Sequence, residues 1–166
     1  AFMFTSPSCA GLFATRLAIA NPTDSPALVL TRFQKSDGTT VPRYQVVPAR
    51  SRASVDVGSI AGLGDAEFAT LVEADVQVVV DRTMTWPASG AAIGYGAHAE
   101  RGILTRTATT WYLAEGSTAG NFDLFYLIQN PTETDATIEV TYLLPSGPPV
   151  VRTYQAEKQS RFNIWV

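Results

Sequence analysis

Residues 72–86 read Val72-Glu73-Ala74-Asp75-Val76-Gln77-Val78-Val79-Val80-Asp81-Arg82-Thr83-Met84-Thr85-Trp86. Val72, Ala74, Val76, Val78, Val80, Met84 and Trp86 fall on one parity, and Glu73, Asp75, Gln77, Asp81, Thr83 and Thr85 on the other. A period of two is the signature of an extended strand with one buried face, because successive side chains point to opposite sides of a pleated backbone. The run therefore reads as long strand. The same logic recurs in Ile138, Val140, Tyr142 and Leu144 against Glu139 and Thr141, and in Phe162, Ile164 and Val166 against Arg161 and Asn163.

Turn chemistry punctuates these runs about every ten residues. Asn21-Pro22-Thr23, Ser36-Asp37-Gly38, Gly62-Leu63-Gly64-Asp65, Pro87-Ala88-Ser89-Gly90, Asn130-Pro131-Thr132 and Pro145-Ser146-Gly147 all carry residues that favour turns. Strands are expected near 2–5, 13–20, 27–34, 41–47, 52–57, 67–74, 75–86, 93–98, 110–114, 122–129, 136–144, 149–156 and 160–166, with at most one short helical turn in 58–67. Short strands at this spacing predict an all-β, antiparallel, immunoglobulin-like sandwich.

The chain also matches itself. Sliding it by 109 residues without a gap lays residues 110–166 on residues 1–57, and fifteen of the 57 pairs are identical, among them Ile19/Ile128, Asn21/Asn130, Pro22/Pro131, Thr23/Thr132, Gly38/Gly147, Ser51/Ser160 and Arg52/Arg161. Chance gives about three or four at ordinary residue frequencies, so this is an internal repeat. The expected organisation is one full sandwich unit, residues 1–109, followed by a partial second unit, residues 110–166, with five strands. A half-sandwich leaves an apolar face and an open edge. Its missing strands are expected from a continuation of the natural chain beyond Val166, from the first unit, or from a neighbouring molecule.

Composition narrows the function classes. At 166 residues the chain can bury a sizeable core without staples. Hydrophobic residues make up 46% and charged residues 16%, a balance poor in Lys and Glu that suits a β-rich secreted or cell-surface protein. The net charge is -3, and the twelve Lys and Arg are scattered, so no phosphate-tracking stripe points to nucleic acid. No apolar stretch is long enough for a membrane-spanning helix. The chain opens on Ala1 without a basic segment and apolar core behind it, so a signal peptide is expected to have been removed or to lie outside these residues. Cys9 is the single cysteine, which excludes an internal disulfide and reads as a small core thiol.

No catalytic constellation, cofactor motif or metal-ligand spacing stands out. His98 is the sole histidine, without a nucleophile motif around it or a second imidazole for zinc. Asp24, Asp37, Asp56, Asp65, Glu67 and Asp123 sit near turns, but no loop alternates carboxylates as calcium requires. Arg82 lies on the apolar face of its strand, and Arg43/Arg152 and Arg52/Arg161 recur at matching repeat positions. A buried guanidinium needs a carboxylate or carbonyls, and Glu73, Asp75 and Glu115 are candidate partners for these arginines. Trp86, Trp111, Tyr112, Tyr126, Tyr142 and Phe125 read as core or interdomain packing. Trp165 points away from Phe162 and Ile164, toward solvent or a partner. Proline at the middle position keeps Asn21 and Asn130 from being glycosylation acceptors, so both read as turn residues whose side chains bond the backbone.

Thr110-Trp111-Tyr112-Leu113-Ala114-Glu115-Gly116-Ser117-Thr118, the later Asn130-Pro131, Ser160-Arg161, and Arg82-Thr83-Met84-Thr85-Trp86 followed by Gly94-Tyr95-Gly96-Ala97-His98 come in a recognisable order. The chain resembles the tandem β-sandwich repeat domains of large, uncharacterised secreted or surface proteins of bacteria. That resemblance implies an extracellular repeat domain without assigned chemistry. The first copy departs from it, having Phe2-Met3-Phe4-Thr5-Ser6-Pro7 where the second has Trp111 to Gly116.

The expectation is therefore a non-enzymatic structural or assembly module. It would associate with copies of itself or with adjacent repeat domains through strand and domain-end contacts, centred on Phe2 and Phe4 at one end and Arg161, Phe162, Ile164, Trp165 and Val166 at the other. Arg82, Trp86, Trp111, Tyr112, Glu115, Asn21, Asn130 and Arg52 are expected to be structural. The rival expectation is a glycan- or cell-wall-binding module using exposed aromatic rings.

Overall fold

The computed structural model describes residues 2–6, 13–87, 95–102, 108–114, 116–120 and 124–166, with backbone alone at 2–6, 87 and 95. Cys9, Glu115 and Asp123 lie outside the described residues, as does most of the Pro87–Gly90 turn. Twelve strands are present among those described: β1 (Phe2–Ser6), β2 (Ala14–Asn21), β3 (Ala27–Lys35), β4 (Thr40–Val47), β5 (Ser51–Asp56), β6 (Phe68–Ala74), β7 (Val79–Pro87), β8 (Tyr95–Arg101), β9 (Phe125–Asn130), β10 (Ala136–Tyr142), β11 (Val150–Ala156) and β12 (Ser160–Trp165). One three-residue 3-10 turn, Val57–Ser59, is the helical content anticipated between β5 and β6. The protein is an all-β antiparallel sandwich.

In the first repeat two four-stranded sheets face each other, ordered β1-β6-β3-β4 and β5-β2-β7-β8. The β2–β5 and β3–β6 neighbours match the B–E and C–F pairs of a constant-type immunoglobulin sandwich, while β1 and β7 lie in the sheets opposite to A and G. The core lies between the sheets: Leu17 and Ile19 of β2, Phe33 of β3, Phe68 and Val72 of β6 and Val80 of β7 are 0% exposed. Each such side chain contributes about 1.5–3 kcal/mol on burial. Phe33 and Phe68 meet edge-to-face with ring centroids 5.5 Å apart.

The run 72–86 keeps its parity but not its continuity. Val72, Val78, Val80, Arg82 and Met84 are buried and their odd-numbered neighbours are more exposed, yet the segment is two strands in different sheets. The chain leaves the ladder at residues 75–78, where Asp75 Oδ1 accepts from the Leu28 N–H at 2.8 Å and the Asp75 N–H donates to the Leu28 carbonyl at 3.3 Å. That clasp ends β6 beside the start of β3 and releases the chain to cross to the opposite sheet. The alternation stays unbroken because both sheets bury the same parity.

The four described strands of the second repeat, β9 to β12, reproduce β2 to β5 of the first at the 109-residue offset. Ala27 faces Val47 in the β3–β4 ladder and Ala136 faces Ala156 in β10–β11; Asn21 faces Ser51 in β2–β5 and Asn130 faces Ser160 in β9–β12. Its two inner faces enclose a smaller core, with Tyr126 6.2 Å from Tyr142 and Tyr154 6.2 Å from Phe162. The expected strand at 110–114 is absent, so the described part of this repeat holds four strands rather than five. Trp111 and Tyr112 are 56% and 92% exposed rather than packed. The physical reason lies in the counterpart strand: β1 is held by β6 along the register Phe2↔Val72 to Ser6↔Phe68, and among the described residues nothing equivalent to β6 stands beside 110–114.

Candidate functional site: the junction between the repeats

Each repeat is fastened by the same buried asparagine. Asn21 Nδ2 donates to the carbonyls of Ser25, Val47 and Pro48 at 2.8, 3.1 and 3.0 Å, while its Oδ1 accepts from the Thr23 N–H and Oγ1 at 3.0 and 2.7 Å. Asn130 makes the matching set to Thr134, Ala156, Glu157 and Thr132 at 2.8, 3.1, 3.1, 3.1 and 2.7 Å. Each Asn-Pro-Thr turn thus gives a donor to one buried carbonyl, of Val47 or Ala156, and to two partly buried ones beside it. Ser51 and Ser160 repeat one more bond, donating to the carbonyls of Pro48 and Glu157 at 2.8 Å. Arg50 and Gln159 share a left-handed backbone, φ 48° and 50°.

These fastened strands bring the outer face of β9 and β12 against β1, β3 and β6. Arg161 is 2% exposed and its Nη1 donates to Glu67 Oε2 at 2.7 Å. Its Nη2 bonds Asn163 Oδ1, and Asn163 Nδ2 reaches the same Glu67 oxygen at 3.5 Å. Burial lowers the Arg161 pKa, and the Glu67 carboxylate opposes that shift. Nearby, Gln129 Nε2 donates to Gln34 Oε1 at 2.9 Å. Arg161 and Gln129 are register partners in the β9–β12 ladder, so one cross-strand pair supplies the two shortest polar ties to the first repeat, and Asn163 adds a longer one. The tie explains why Phe68, Ala69 and Thr70 are all buried: the first repeat's core covers one face of β6 and the second repeat helps to cover the other.

Beside the tie opens a polar cleft of about 510 Å³ lined by Lys35, Asp37, Gly62, Asp65 and Glu67. Two of its acids are already engaged. Glu67 meets Arg161, and Asp37 accepts from the Thr39 hydroxyl and N–H with Lys35 Nζ at 3.0 Å, which together lower its pKa to about 2. Among the described residues no cluster of three His, Cys, Asp or Glu could hold a metal ion.

The remaining expected positions are distributed as follows. Arg82 is 2% exposed, and its partner is Glu100 at 2.9 Å with His98 Nδ1 at 3.3 Å. This corrects the expectation of Glu73 or Asp75: Glu73 pairs with Arg32, and Asp75 clasps Leu28. Burial lowers the Arg82 pKa against the pull of Glu100. Trp86 is half-buried against Phe13, ring centroids 5.5 Å apart. Arg52 is exposed on β5 although its repeat counterpart Arg161 is buried. Arg43 and Arg152 are also exposed, and reach Gln45 Oε1 and the Val151 carbonyl rather than a carboxylate. Phe2 and Phe4 lie on the edge strand β1, opposite Val72 and Thr70. Phe162 is half-buried and Ile164 3% exposed; Val166 is 41% exposed, its N–H donating to the Leu124 carbonyl at 3.1 Å. Trp165, 71% exposed, stacks on Phe125 with centroids 5.9 Å apart.

Gln34, Gln129, Asn163 and Glu100 were not distinguishable in the sequence. Glu67 read only as a loop acid. The signal that could have found the tie is the repeat itself: Arg52 and Arg161 are identical, while their neighbours Ser54 and Asn163, Ala20 and Gln129 differ, as a face that changes surroundings would.

No family model matches the chain, and no curated protein matches it. Among solved structures, the crystal structure of Thermotoga maritima 1070 is similar over 65% of this chain and 97% of its own, with a TM-score of 0.53 and 14% identity, a likeness of fold alone. The Anabaena sensory rhodopsin transducer is similar over 49% of this chain and 85% of its own, with a TM-score of 0.40 and 23% identity.

Proposed function

We propose that this chain is a non-enzymatic extracellular structural module that associates with further modules, its own copies or adjacent repeats, through strand and domain-end contacts. The observation that carries the reading is the junction: two repeats of one pattern joined by unlike faces, the outer side of β9–β12 on the end of β1, β3 and β6. Contacts between unlike faces extend into filaments when the rotation does not close a ring. The face of β2 and β5 that corresponds to the docked face of the second repeat stays exposed at Arg16, Ala20, Arg52, Ser54 and Asp56. A further module can meet it with the same sense. The low charge content and the resemblance to secreted bacterial repeat domains support an extracellular setting. Light scattering over a range of concentrations tests association: mass rising with concentration supports it, and a constant monomer mass refutes it.

One observation favours a second reading, a glycan-binding module. Phe125 and Trp165 form an exposed stacked pair, 50% and 71% accessible, with planes inclined by 20°. Rings of this kind stack on sugar faces. Saturable quenching of tryptophan fluorescence by cell-wall oligosaccharides, lost in Trp165→Ala, distinguishes this reading from assembly.

A further inference from the structure

The two faces that meet at the junction are each covered only in part. Along the outer face of β3, Gln34 is 3% exposed beneath the second repeat, Arg32 and Leu30 are half-buried, and Leu28 is 60% exposed. Val46 and Tyr44 of β4, the register partners of Leu28 and Leu30, are 58% and 76% exposed. The outer face of β9 and β12 runs the same way. Its register pair Gln129 and Arg161 is engaged, Leu127 and Asn163 are half-buried, and the pair Phe125 and Trp165 is 50% and 71% exposed. Each face therefore continues the junction into an open apolar end.

The repeat itself shows that exposure does not demand these residues. At the 109-residue offset Leu28, Leu30, Tyr44 and Val46 correspond to Thr137, Glu139, Thr153 and Gln155, while Phe125 and Trp165 correspond to Arg16 and Asp56. The counterparts hold the same register positions and all six are exposed. Polar residues thus serve at these places, and an apolar cluster there marks a face that a partner covers. Arg16 and Asp56 are exposed with β6, β7 and β8 all in place, so the Phe125 and Trp165 positions belong to the outer surface of the sandwich rather than to its core. β4 is an edge strand, but it carries Pro42, which has no N–H to give an added strand. Its face, not its edge, is what β4 offers.

We infer that a second copy of this chain docks its Phe125 and Trp165 on Leu28, Leu30, Tyr44 and Val46 of the first. The contact repeats between chains what the junction does within one, setting the outer face of β9 and β12 against the outer face of β3 and its neighbours. Stacked aromatic rings bring a large apolar area at little cost in side-chain ordering, and Trp and Tyr are frequent anchors of such contacts. Arg32 and Glu73 pair with each other beside the patch, so neither brings an unpaired charge to the contact. This deepens the assembly reading, on which it rests, by naming the two surfaces. Because the surfaces differ, every added copy presents one of each again and the association is open-ended.

Two variants of the whole chain test the contact, each taking residues from the matching positions of the other repeat. One carries Leu28→Thr, Tyr44→Thr and Val46→Gln and keeps the aromatic pair; the other carries Phe125→Arg and Trp165→Asp and keeps the patch. Sedimentation velocity is run on the parent, on each variant and on their equimolar mixture. The parent is expected to associate, and each variant alone to do so at least about tenfold more weakly. The mixture is expected to form a species of about twice the monomer mass, since one complementary contact remains. Far-UV circular dichroism of each variant, expected to match the parent, keeps loss of folding from passing as loss of contact. Variants that associate as the parent does overturn this inference and leave the assembly reading standing through another surface. Self-association of the patch-bearing variant overturns the unlike pairing in favour of patch on patch, and a mixture no heavier than its folded components overturns the docking. A parent that stays monomeric at every concentration overturns both readings.

Discussion

Arg161 and Glu67 are 94 residues apart in sequence and 2.7 Å apart in space, and the two sides of their ion pair are unequally buried: the Arg161 side chain is 0% exposed and that of Glu67 37%. Removing either partner leaves a different orphan. Glu67→Ala strands a buried guanidinium on Asn163 and is expected to cost about 3 kcal/mol. Arg161→Met fills the space with an apolar stem and leaves a carboxylate that water already reaches, so it is expected to stay within about 1 kcal/mol of the parent. Urea unfolding of the two variants measures the order; an Arg161→Met variant less stable than Glu67→Ala contradicts this account of the junction.

The paired asparagine turns make a matched prediction. Asn130→Ala removes five hydrogen bonds at a residue 5% exposed and leaves three carbonyls short of a donor. The expected loss is about 2–3 kcal/mol, expressed as faster amide exchange in β9, β11 and β12 with β2–β5 unchanged. Asn21→Ala should produce the mirror pattern in the first repeat. A variant that loosens both repeats equally would show that the two do not behave as separately fastened units.

Gly96 lies opposite Trp86 in the β7–β8 ladder, and a Cβ there would come within 2.3 Å of the indole ring. Gly96→Ala is expected to push Trp86 off Phe13 and cost about 1–3 kcal/mol, with a red-shifted tryptophan emission. Gly38→Ala is the informative contrast, because nothing stands within 4 Å of its Cβ and only its φ of 79° opposes the change. Its cost is expected near 1 kcal/mol with no change in emission.

Tyr142 gives the second repeat a pH signature. Burial, then its contact with Tyr154, raises its pKa from 10.0 to about 12. The neutral phenol is thus favoured by folding. Its contribution to stability is complete below pH 10 and is lost as pH rises toward about 12. Phenolate absorbance should show one tyrosine titrating late, and the late component should vanish in Tyr142→Phe. An unchanged titration in that variant contradicts the assignment.

How much of this was legible beforehand follows from what alternation does and does not encode. Parity named the buried face of residues 72–86 correctly because burial acts one side chain at a time. It could not find the sheet change at 75–78, which depends on the Asp75 clasp to Leu28. The Asn-Pro-Thr turns were readable because their hydrogen bonds are mostly local. Trp111 and Tyr112 look like strand residues, but a strand needs a neighbour, and the sequence does not say whether one is there. Arg82 was correctly expected to need an acid; the one it uses, Glu100, is set by the β7–β8 register, a pairing between segments that composition does not reveal. Arg161 and Glu67 were each visible, but their meeting depends on which outer face becomes covered.

The measurement that bears most directly on the central claim is electron microscopy of the purified chain, with light scattering on the same sample. Fibres or linear arrays with a regular subunit repeat are predicted, shortened or abolished by Arg52→Glu on the exposed counterpart of the docked face. Compact single particles at every concentration, unchanged by Arg52→Glu, would contradict the claim that this module assembles.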